Sequence, residues 1–121
     1  MFNHNLLDIP SLRRIDGSIR LYEAPDGEQY PSVTTVLSSM TDKSAWIAWR
    51  DRVGDEEANR VSKRATTRGT NIHSLCEQLV LNQPIDMTNV MPFNLAMFNQ
   101  LKRFLINDVD NIRLSEGTLY S

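Results

Sequence analysis

The chain has 121 residues, of which 40% are hydrophobic, and its formal net charge is −2. This length suits one compact domain and leaves no room for a second independent one. The near-neutral charge gives no overall electrostatic reason to expect nucleic-acid binding, so that function requires a local basic patch. Because Cys76 is the single cysteine, an internal disulfide and a zinc site of paired cysteines are both excluded.

The sequence contains no targeting or membrane signal. It lacks a run of 18 apolar residues, and its N-terminus lacks a basic region followed by an apolar run. A lone cysteine also suits a reducing compartment. These features predict a soluble, cytoplasmic protein without a membrane partner.

The first third of the chain predicts a β-hairpin and the start of a helix. Residues 1–18 form a polar lead-in without a chemical signature. Residues 19–31 alternate in the manner of strands around the turn sequence at 24–27, which favours a hairpin. Pro31 then ends the second strand, and Ser32 is placed to cap the helix that follows.

Residues 32–108 predict a region of about five helices. These helices begin near Ser32, Thr41, Asp55, Thr67 and Pro92. Their apolar spacing predicts six core side chains, which are Trp46, Trp49, Leu75, Leu79, Phe98 and Leu101. Residues 112–121 predict a strand, so the chain ends inside an apparent strand whose neighbours we expect from another segment.

A local basic patch lies between Ala58 and Cys76, where the chain has four cations and no acidic residue. These cations are Arg60, Lys63, Arg64 and Arg68. In a continuous helix the three arginines lie at i, i+4 and i+8, a row that can follow phosphates. The alternative is a solvated helix face that pairs with the acidic residues at 55–57.

His73 and Glu77 are four residues apart and therefore project from the same side of the predicted fourth helix. On a helical wheel, His73 borders the apolar stripe and Glu77 lies farther toward solvent. The pair can supply ligands to a divalent ion. A surface histidine beside a hydrogen-bonded carboxylate is the alternative.

Three motifs in this order resemble a known family. They are residues 30–37 (YPSVTTVL), residues 49–54 (WRDRVG) and residues 68–73 (RGTNIH) with Glu77. Together they are similar to the N-terminal half of RecB-like PD-(D/E)XK exonucleases, especially the mitochondrial genome maintenance exonuclease group and its phage relatives. The likeness covers roughly residues 19–121.

The resemblance implies a DNA partner, a metal and a site. His73 matches a metal ligand of the family, Glu77 supports it, and Glu116 matches a catalytic carboxylate at the entry to the central sheet. The cofactor implied for the complete nuclease is Mg²⁺ or Mn²⁺, and the compartment is the host cytoplasm if a phage encodes the chain. The fold implied is a mostly helical α/β fragment of an incomplete PD-(D/E)XK core, with residues 1–121 as a single partial domain and residues 112–121 as its first core strand.

The chain lacks the rest of the family's catalytic motif. A Gly-x-x-Asp strand and an acid-x-Lys strand should follow Glu116, but none of the three lysines has an acidic residue two positions before it. Hydrolysis by this plan needs several oxygen ligands and an activated water. We therefore expect no DNA cleavage by this chain alone.

Three functions remain open at this point. The first is a nuclease portion that depends on a separate C-terminal nuclease part, or on self-association, to complete the sheet. The second is a non-catalytic module that binds DNA or protein. The third is an inhibitor derived from the nuclease N-terminal half.

Overall fold

The computed structural model describes residues 1–120 and shows an α/β fold that is mostly helical. Its elements in chain order are β1 (Arg13–Ile15), β2 (Leu21–Glu23), β3 (Gln29–Pro31), α1 (Val33–Met40), α2 (Ser44–Val53), α3 (Asp55–Val80) and α4 (Pro92–Asp108). They divide into two compact units. Unit 1 contains Met1–Leu7 and Val53–Ser115, and unit 2 contains Asp8–Arg52 and the described part of Glu116–Ser121. None of the described helices is both long and apolar enough to span a bilayer.

The predicted hairpin is confirmed in unit 2. Strands β2 and β3 pair antiparallel with Tyr22 opposite Tyr30. The turn between them closes because Gly27 adopts a φ of 86°, which an L side chain rarely tolerates. The Asp26 carboxylate accepts a hydrogen bond from the Glu28 amide at 2.9 Å, which further fixes this turn.

A third strand, β1, was not expected from the sequence. It lies within the polar lead-in and pairs antiparallel with β2, which makes the sheet order β1-β2-β3. Arg13 stands opposite Glu23, and their side chains form a 2.8 Å ion pair. A three-residue strand of sequence Arg-Arg-Ile has too little alternation to be recognised from its own residues, because its partner supplies the stabilising contacts.

Helices α1 and α2 form where expected but bury little. The Ser32 hydroxyl caps α1 by accepting a hydrogen bond from the Thr35 amide at 3.1 Å, as predicted. The prediction that Trp46 belongs to the core is wrong, since this residue is 52% exposed and its ring lies under the Arg50 guanidinium. Trp49 is only half-buried. The reason is that, within unit 2, neither helix packs extensively on the sheet or on the other helix.

The predicted third and fourth helices are one continuous helix, α3, of 26 residues. No proline or glycine interrupts residues 55–68, so the hydrogen-bond ladder continues through the boundary that the sequence suggested. The helix begins after Gly54, whose φ of 88° is one that glycine adopts more readily than a residue with a side chain. Asp55 and the two glutamates after it lie in the first turn, where carboxylates interact favourably with the helix dipole.

The end of α3 is held by Asn82. This residue adopts the left-handed conformation with a φ of 57°, and the Gln83 amide donates to the Gln78 carbonyl at 2.9 Å. The Asn82 side chain also accepts from the Phe2 amide at 2.9 Å and donates to the Phe2 carbonyl at 2.7 Å. The N-terminal segment is therefore fastened to the C-terminal end of α3.

The core of unit 1 lies between α3 and α4. Leu75 is 2% exposed and Phe98 is 1% exposed, which confirms the prediction for both. Leu79 is half-buried. The prediction for Leu101 is wrong, because this residue remains exposed. Of the two α4 residues predicted for the core, only Phe98 is fully covered, because it lies where α4 packs on α3 within unit 1.

The predicted strand at residues 112–121 is not formed among the residues described. Ile112 instead makes a single parallel bridge with His4. The amides of Asn5 and Leu7 donate to the carbonyls of Ile112 and Arg113 at 2.9 and 2.8 Å, and the Ile112 amide donates to the Asn3 carbonyl at 2.8 Å. The lead-in thus supplies the backbone partner that we expected from another segment. Ser121, the last residue of the predicted strand, lies outside the described part.

Candidate nucleic-acid interface

The continuity of α3 places the predicted basic residues on one side of the helix. Arg60, Arg64 and Arg68 occupy successive turns, so their Cα atoms span about 12 Å along the axis at ~1.5 Å per residue. Lys63 lies beside this row. Arg68 is half-buried, and the other three are exposed.

Arg60 is already engaged by an acidic neighbour. Its guanidinium donates to both carboxylate oxygens of Glu57, at 2.8 and 2.7 Å. The hydrogen bonds from Arg60 are the largest cause of a lowered pKa at Glu57; desolvation opposes this shift, and the charges of Arg60 and Arg64 add to it. The same hydrogen bonds and the charge of Glu57 raise the pKa of Arg60. The prediction of a face paired with residues 55–57 therefore holds for Arg60, whose charge is less available to a phosphate.

The remaining three cations surround an open groove. Neither Lys63 nor Arg64 forms an ion pair within residues 1–120. The groove has a volume of about 450 Å³. We call it the α3–α4 groove; its lining residues are Arg60, Lys63, Arg64, Thr67, Arg68, Met91, Phe93 and Asn94. It therefore combines cations from α3 with apolar side chains from the start of α4.

Local contacts hold the start of α4 against α3. Pro92 occupies the first turn, where its fixed φ suits a helix and its missing N–H leaves no unsatisfied donor. The buried Asn94 side chain donates to the Asn71 side chain of α3 at 3.1 Å. The Arg68 guanidinium lies 4.4 Å from the centre of the Phe93 ring, within cation–π range.

The sequence reasoning found the cations and missed Met91 and Phe93. Both are strongly exposed, at 64% and 58%. Phe93 was not among the predicted core side chains, and only the packing of α4 on α3 brings it beside Arg68. The sequence contained one signal for this surface, an aromatic residue directly after the proline that opens α4. That signal does not indicate which side chains of another helix lie against the aromatic residue.

His73 and Glu77 lie together elsewhere on α3. They line a shallow depression of about 410 Å³ with Gly69, Thr70 and Ser74. The expected burial is reversed, because His73 is exposed and Glu77 is half-buried. His73 follows Arg64 by nine residues, or about two and a half turns, so the two side chains leave opposite sides of the helix. The basic groove and the His73–Glu77 pair are therefore separate surfaces.

The described residues do not complete a metal site. Within residues 1–120, no group of three or more His, Cys, Asp and Glu side chains is arranged to hold a metal ion. Glu116 belongs to unit 2, where its φ of 58° places it in the left-handed region. His73 and Glu77 offer one imidazole and one carboxylate, whereas Mg²⁺ requires about six ligands, mainly oxygen. These two side chains alone do not fit Mg²⁺.

Unit 2 contains a different type of cavity, of about 420 Å³. Its aromatic lining comes from Tyr22, Tyr30 and Tyr120. The negative charge of Asp26 is the largest cause of a raised pKa at Tyr30, followed by desolvation and then by Glu28. None of the residues that line this cavity is a lysine or an arginine, so it does not extend the basic interface.

Comparison with known protein families, curated proteins and solved structures finds no match for this chain.

Proposed function

We propose that this chain binds DNA through the α3–α4 groove and is the DNA-holding portion of a metal-dependent nuclease. The observation that carries the DNA-binding part is the cluster of Lys63, Arg64 and Arg68 around one open groove. Lys63 and Arg64 form no ion pair within residues 1–120, although the charge of Arg64 contributes to the lowered pKa of Glu57, so a phosphate can become their direct partner. A chain with a net charge of −2 gains affinity for a polyanion only at such a local cluster.

The nuclease part of the proposal rests on the ordered motifs and on the side chains that α3 presents. His73 and Glu77 lie on the same side of the helix and line one depression. In this proposal they are this chain's contribution to a site whose other metal ligands, and the acid-x-Lys lysine that activates the attacking water, come from other residues. Glu116 is the further carboxylate that we assign to the assembled site.

A charge-reversal pair tests the DNA-binding proposal. We expect Lys63→Glu/Arg64→Glu to weaken DNA binding at low salt by at least about tenfold, because two phosphate contacts become repulsive. The matched control is Lys102→Glu/Arg103→Glu on α4, which changes the net charge equally away from the groove. Fluorescence anisotropy with short labelled DNA measures both. Equal losses in the two variants would mean that only net charge matters, and the groove would lose its role.

Salt dependence gives a second measure of the same contacts. If a strand contacts three cations, the logarithm of the association constant falls against the logarithm of salt concentration with a slope of about −2, at −0.7 per phosphate of a single strand. The charge-reversal pair should make this slope shallower. A salt-independent affinity would contradict phosphate binding.

A cleavage assay tests the nuclease part. We expect no cleavage of labelled DNA by this chain in Mg²⁺ or Mn²⁺, because His73 and Glu77 do not make a complete site. Metal-dependent cleavage that disappears in His73→Ala would show that this chain contains the whole active site, contrary to the proposal.

A non-catalytic DNA-binding module is the second candidate. It is favoured by the separation between the groove and His73, which project from opposite sides of α3. Here His73→Ala and Glu77→Ala would leave DNA affinity unchanged both with and without Mg²⁺. In the nuclease portion, adding the missing C-terminal part in trans would produce metal-dependent cleavage, and His73→Ala would abolish it.

A further inference from the structure

The cavity of unit 2 has no part in the DNA binding proposed above, and its lining has a chemistry of its own. All three tyrosines of the sequence line it, and each comes from a different segment of the chain. They are Tyr22 of β2, Tyr30 of β3 and Tyr120. We call this cavity of about 420 Å³ the tyrosine cavity.

The register of the sheet brings two of these tyrosines side by side. Tyr22 and Tyr30 stand directly opposite each other on β2 and β3. Residues in this relation have Cβ atoms about 4.5–5.5 Å apart and lie on the same face of the sheet. Tyr22 is half-buried, whereas Tyr30 and Tyr120 are 39% and 48% exposed. Aromatic surface therefore remains accessible to a ligand in the cavity.

Two carboxylates give this part of unit 2 a negative charge. Asp26 and Glu28 lie between β2 and β3, and the Asp26 carboxylate is held by a 2.9 Å hydrogen bond from the Glu28 amide. The charge of Asp26 is the largest cause of the raised pKa at Tyr30, with desolvation and Glu28 next. Neither carboxylate is among the described residues that line the cavity. Their charge therefore acts on Tyr30 without an acidic side chain in the lining.

The cation nearest in the sheet register is engaged elsewhere. Arg14 of β1 stands opposite Tyr22, so the two residues share one face of the sheet. The Arg14 guanidinium donates to the Asp16 carboxylate at 3.0 Å, and Arg14 is not among the described lining residues. This arginine therefore leaves the tyrosine cavity open to a cation from outside.

Aromatic rings in a negative environment attract cations, because the face of each ring carries partial negative charge. A primary ammonium group also needs acceptors for its three N–H donors. The Ser32 hydroxyl at the cavity already accepts from the Thr35 amide at 3.1 Å and contacts the Thr35 hydroxyl at 2.8 Å. Much of the remaining lining is apolar: Leu12, Pro31, Val33 and Leu119. This lining suits a quaternary ammonium group, which has no N–H to satisfy.

We propose that the tyrosine cavity binds the quaternary ammonium group of a small ligand, with Tyr22, Tyr30 and Tyr120 as the aromatic contacts. Asp26 and Glu28 supply the negative charge that favours a cation. The cavity belongs to unit 2 and the α3–α4 groove to unit 1, so this site is independent of the proposed DNA binding.

Three small probes test the charge and the methyl groups of the ligand separately. They are choline, the neutral alcohol in which a carbon atom replaces the choline nitrogen, and ethanolamine, which has a primary ammonium group. Titrations followed by NMR measure binding through the amide signals of β2 and β3. We expect the wild type to bind choline saturably and more tightly than the other two. No binding of choline, or equal binding of choline and the neutral alcohol, would overturn the proposal.

Variants of Tyr30 test whether the cavity is the site. Tyr30→Leu keeps an apolar side chain but removes the aromatic face, so its affinity for choline should fall by about 2- to 30-fold. Tyr30→Phe should retain the affinity. Trp46→Ala is the control, because it removes an exposed aromatic ring of unit 2 outside the cavity. Circular dichroism establishes that each variant is folded. Equal affinities in Tyr30→Leu and Trp46→Ala would overturn the proposal.

A pair of aspartates tests the contribution of negative charge. Asp26→Asn removes a charge but keeps an oxygen that can accept from the Glu28 amide, and it should weaken choline binding by about twofold. Asp86→Asn in unit 1 is the matched control, since Asp86 accepts from the Thr88 amide at the same 2.9 Å. Equal affinities in these two variants would overturn the electrostatic part of the proposal.

A peptide with trimethylated lysine carries the same quaternary group and identifies its source. We expect the peptide to bind no more tightly than choline, as for a site that takes a small ligand. Much tighter binding of the methylated peptide than of both choline and the unmodified peptide would overturn the small-ligand assignment in favour of a modified protein.

Discussion

Units 1 and 2 are stabilised in different ways. Unit 1 contains six of the seven buried hydrophobic residues within 1–120, whereas unit 2 contains only Ala24. In unit 2, β2 and β3 pair through their backbones, Ser32 caps α1, and large apolar residues such as Trp46 remain exposed. The helices of both units have amphipathic patterns, but their apolar side chains are buried to different extents. The apolar face of a helix is buried only where another element covers it.

Core truncation should give the largest contrast between the units. We expect Phe98→Ala to reduce the free energy of unfolding by about 3–5 kcal/mol, because it removes a side chain that is 1% exposed in the α3–α4 core. Trp46→Ala should change it by no more than about 0.5 kcal/mol, as for an exposed residue. Urea denaturation followed by circular dichroism measures both. Equal losses would show that Trp46 is covered in solution.

The attachment of the N-terminal segment to unit 1 should give the next largest effect. Asn82→Ala removes two hydrogen bonds to Phe2 and places a side chain in the left-handed conformation, at a cost of about 2 kcal/mol. Asn82→Gly is the matched control, because it loses the hydrogen bonds but tolerates the conformation. Hydrogen exchange at the amides of Asn5 and Ile112 should be faster in both variants than in the wild type. It should also be faster in Asn82→Ala than in Asn82→Gly. Unchanged exchange there would contradict the attachment.

The α1 cap tests the local stabilisation of unit 2. Ser32→Ala should destabilise α1 by about 1 kcal/mol, because the Thr35 amide loses its acceptor. Ser39→Ala in the same helix is the control, since the Ser39 hydroxyl only donates to the Val36 carbonyl. Hydrogen exchange in α1 should increase in the first variant, while the amides of α3 stay protected. A loss of protection in α3 as well would show that the two units unfold together.

The smallest expected effect is a stabilisation within unit 1. Gly69→Ala should raise the free energy of unfolding by about 0.5–1 kcal/mol, because an added Cβ meets no atom within 4 Å and alanine favours a helix. Gly54→Ala should have the opposite sign, since the φ of Gly54 is 88°. Thermal unfolding of the two variants measures the difference. Destabilisation by Gly69→Ala would contradict the regular α3 geometry at this residue.

The local signals predicted most of the elements but placed some boundaries wrongly. The turn at Asp26 and Gly27, the cap at Ser32 and the helix start at Asp55 were all recognised, because each depends on the chemistry of a few adjacent residues. The division of α3 into two helices was wrong, since a change in pattern without a proline or glycine does not end a hydrogen-bond ladder. The strand expected near Ile112 is one bridge with His4.

The candidate interface was predicted in part. The three arginines of the basic patch are spaced four residues apart. A continuous helix with 3.6 residues per turn therefore brings them into one row. The same geometry places His73 on the opposite side from Arg64, so the predicted basic row and the predicted metal ligand lie on separate surfaces of α3. Pairing of the basic helix face with the acidic residues at 55–57 was left as an alternative to phosphate binding. The structure shows one such ion pair, between Glu57 and Arg60.

The sequence by itself determined the helix-rich α/β class, the hairpin, the principal caps and the identity of the basic cluster, because these depend on short-range propensity and spacing. Only the tertiary structure decided which apolar stripes are buried, which backbone pairs with Ile112, and that Phe93 lies against Arg68. Each of these depends on contact between residues distant in the chain. Such contacts are set by how α3 and α4 pack, and no local pattern contains that information.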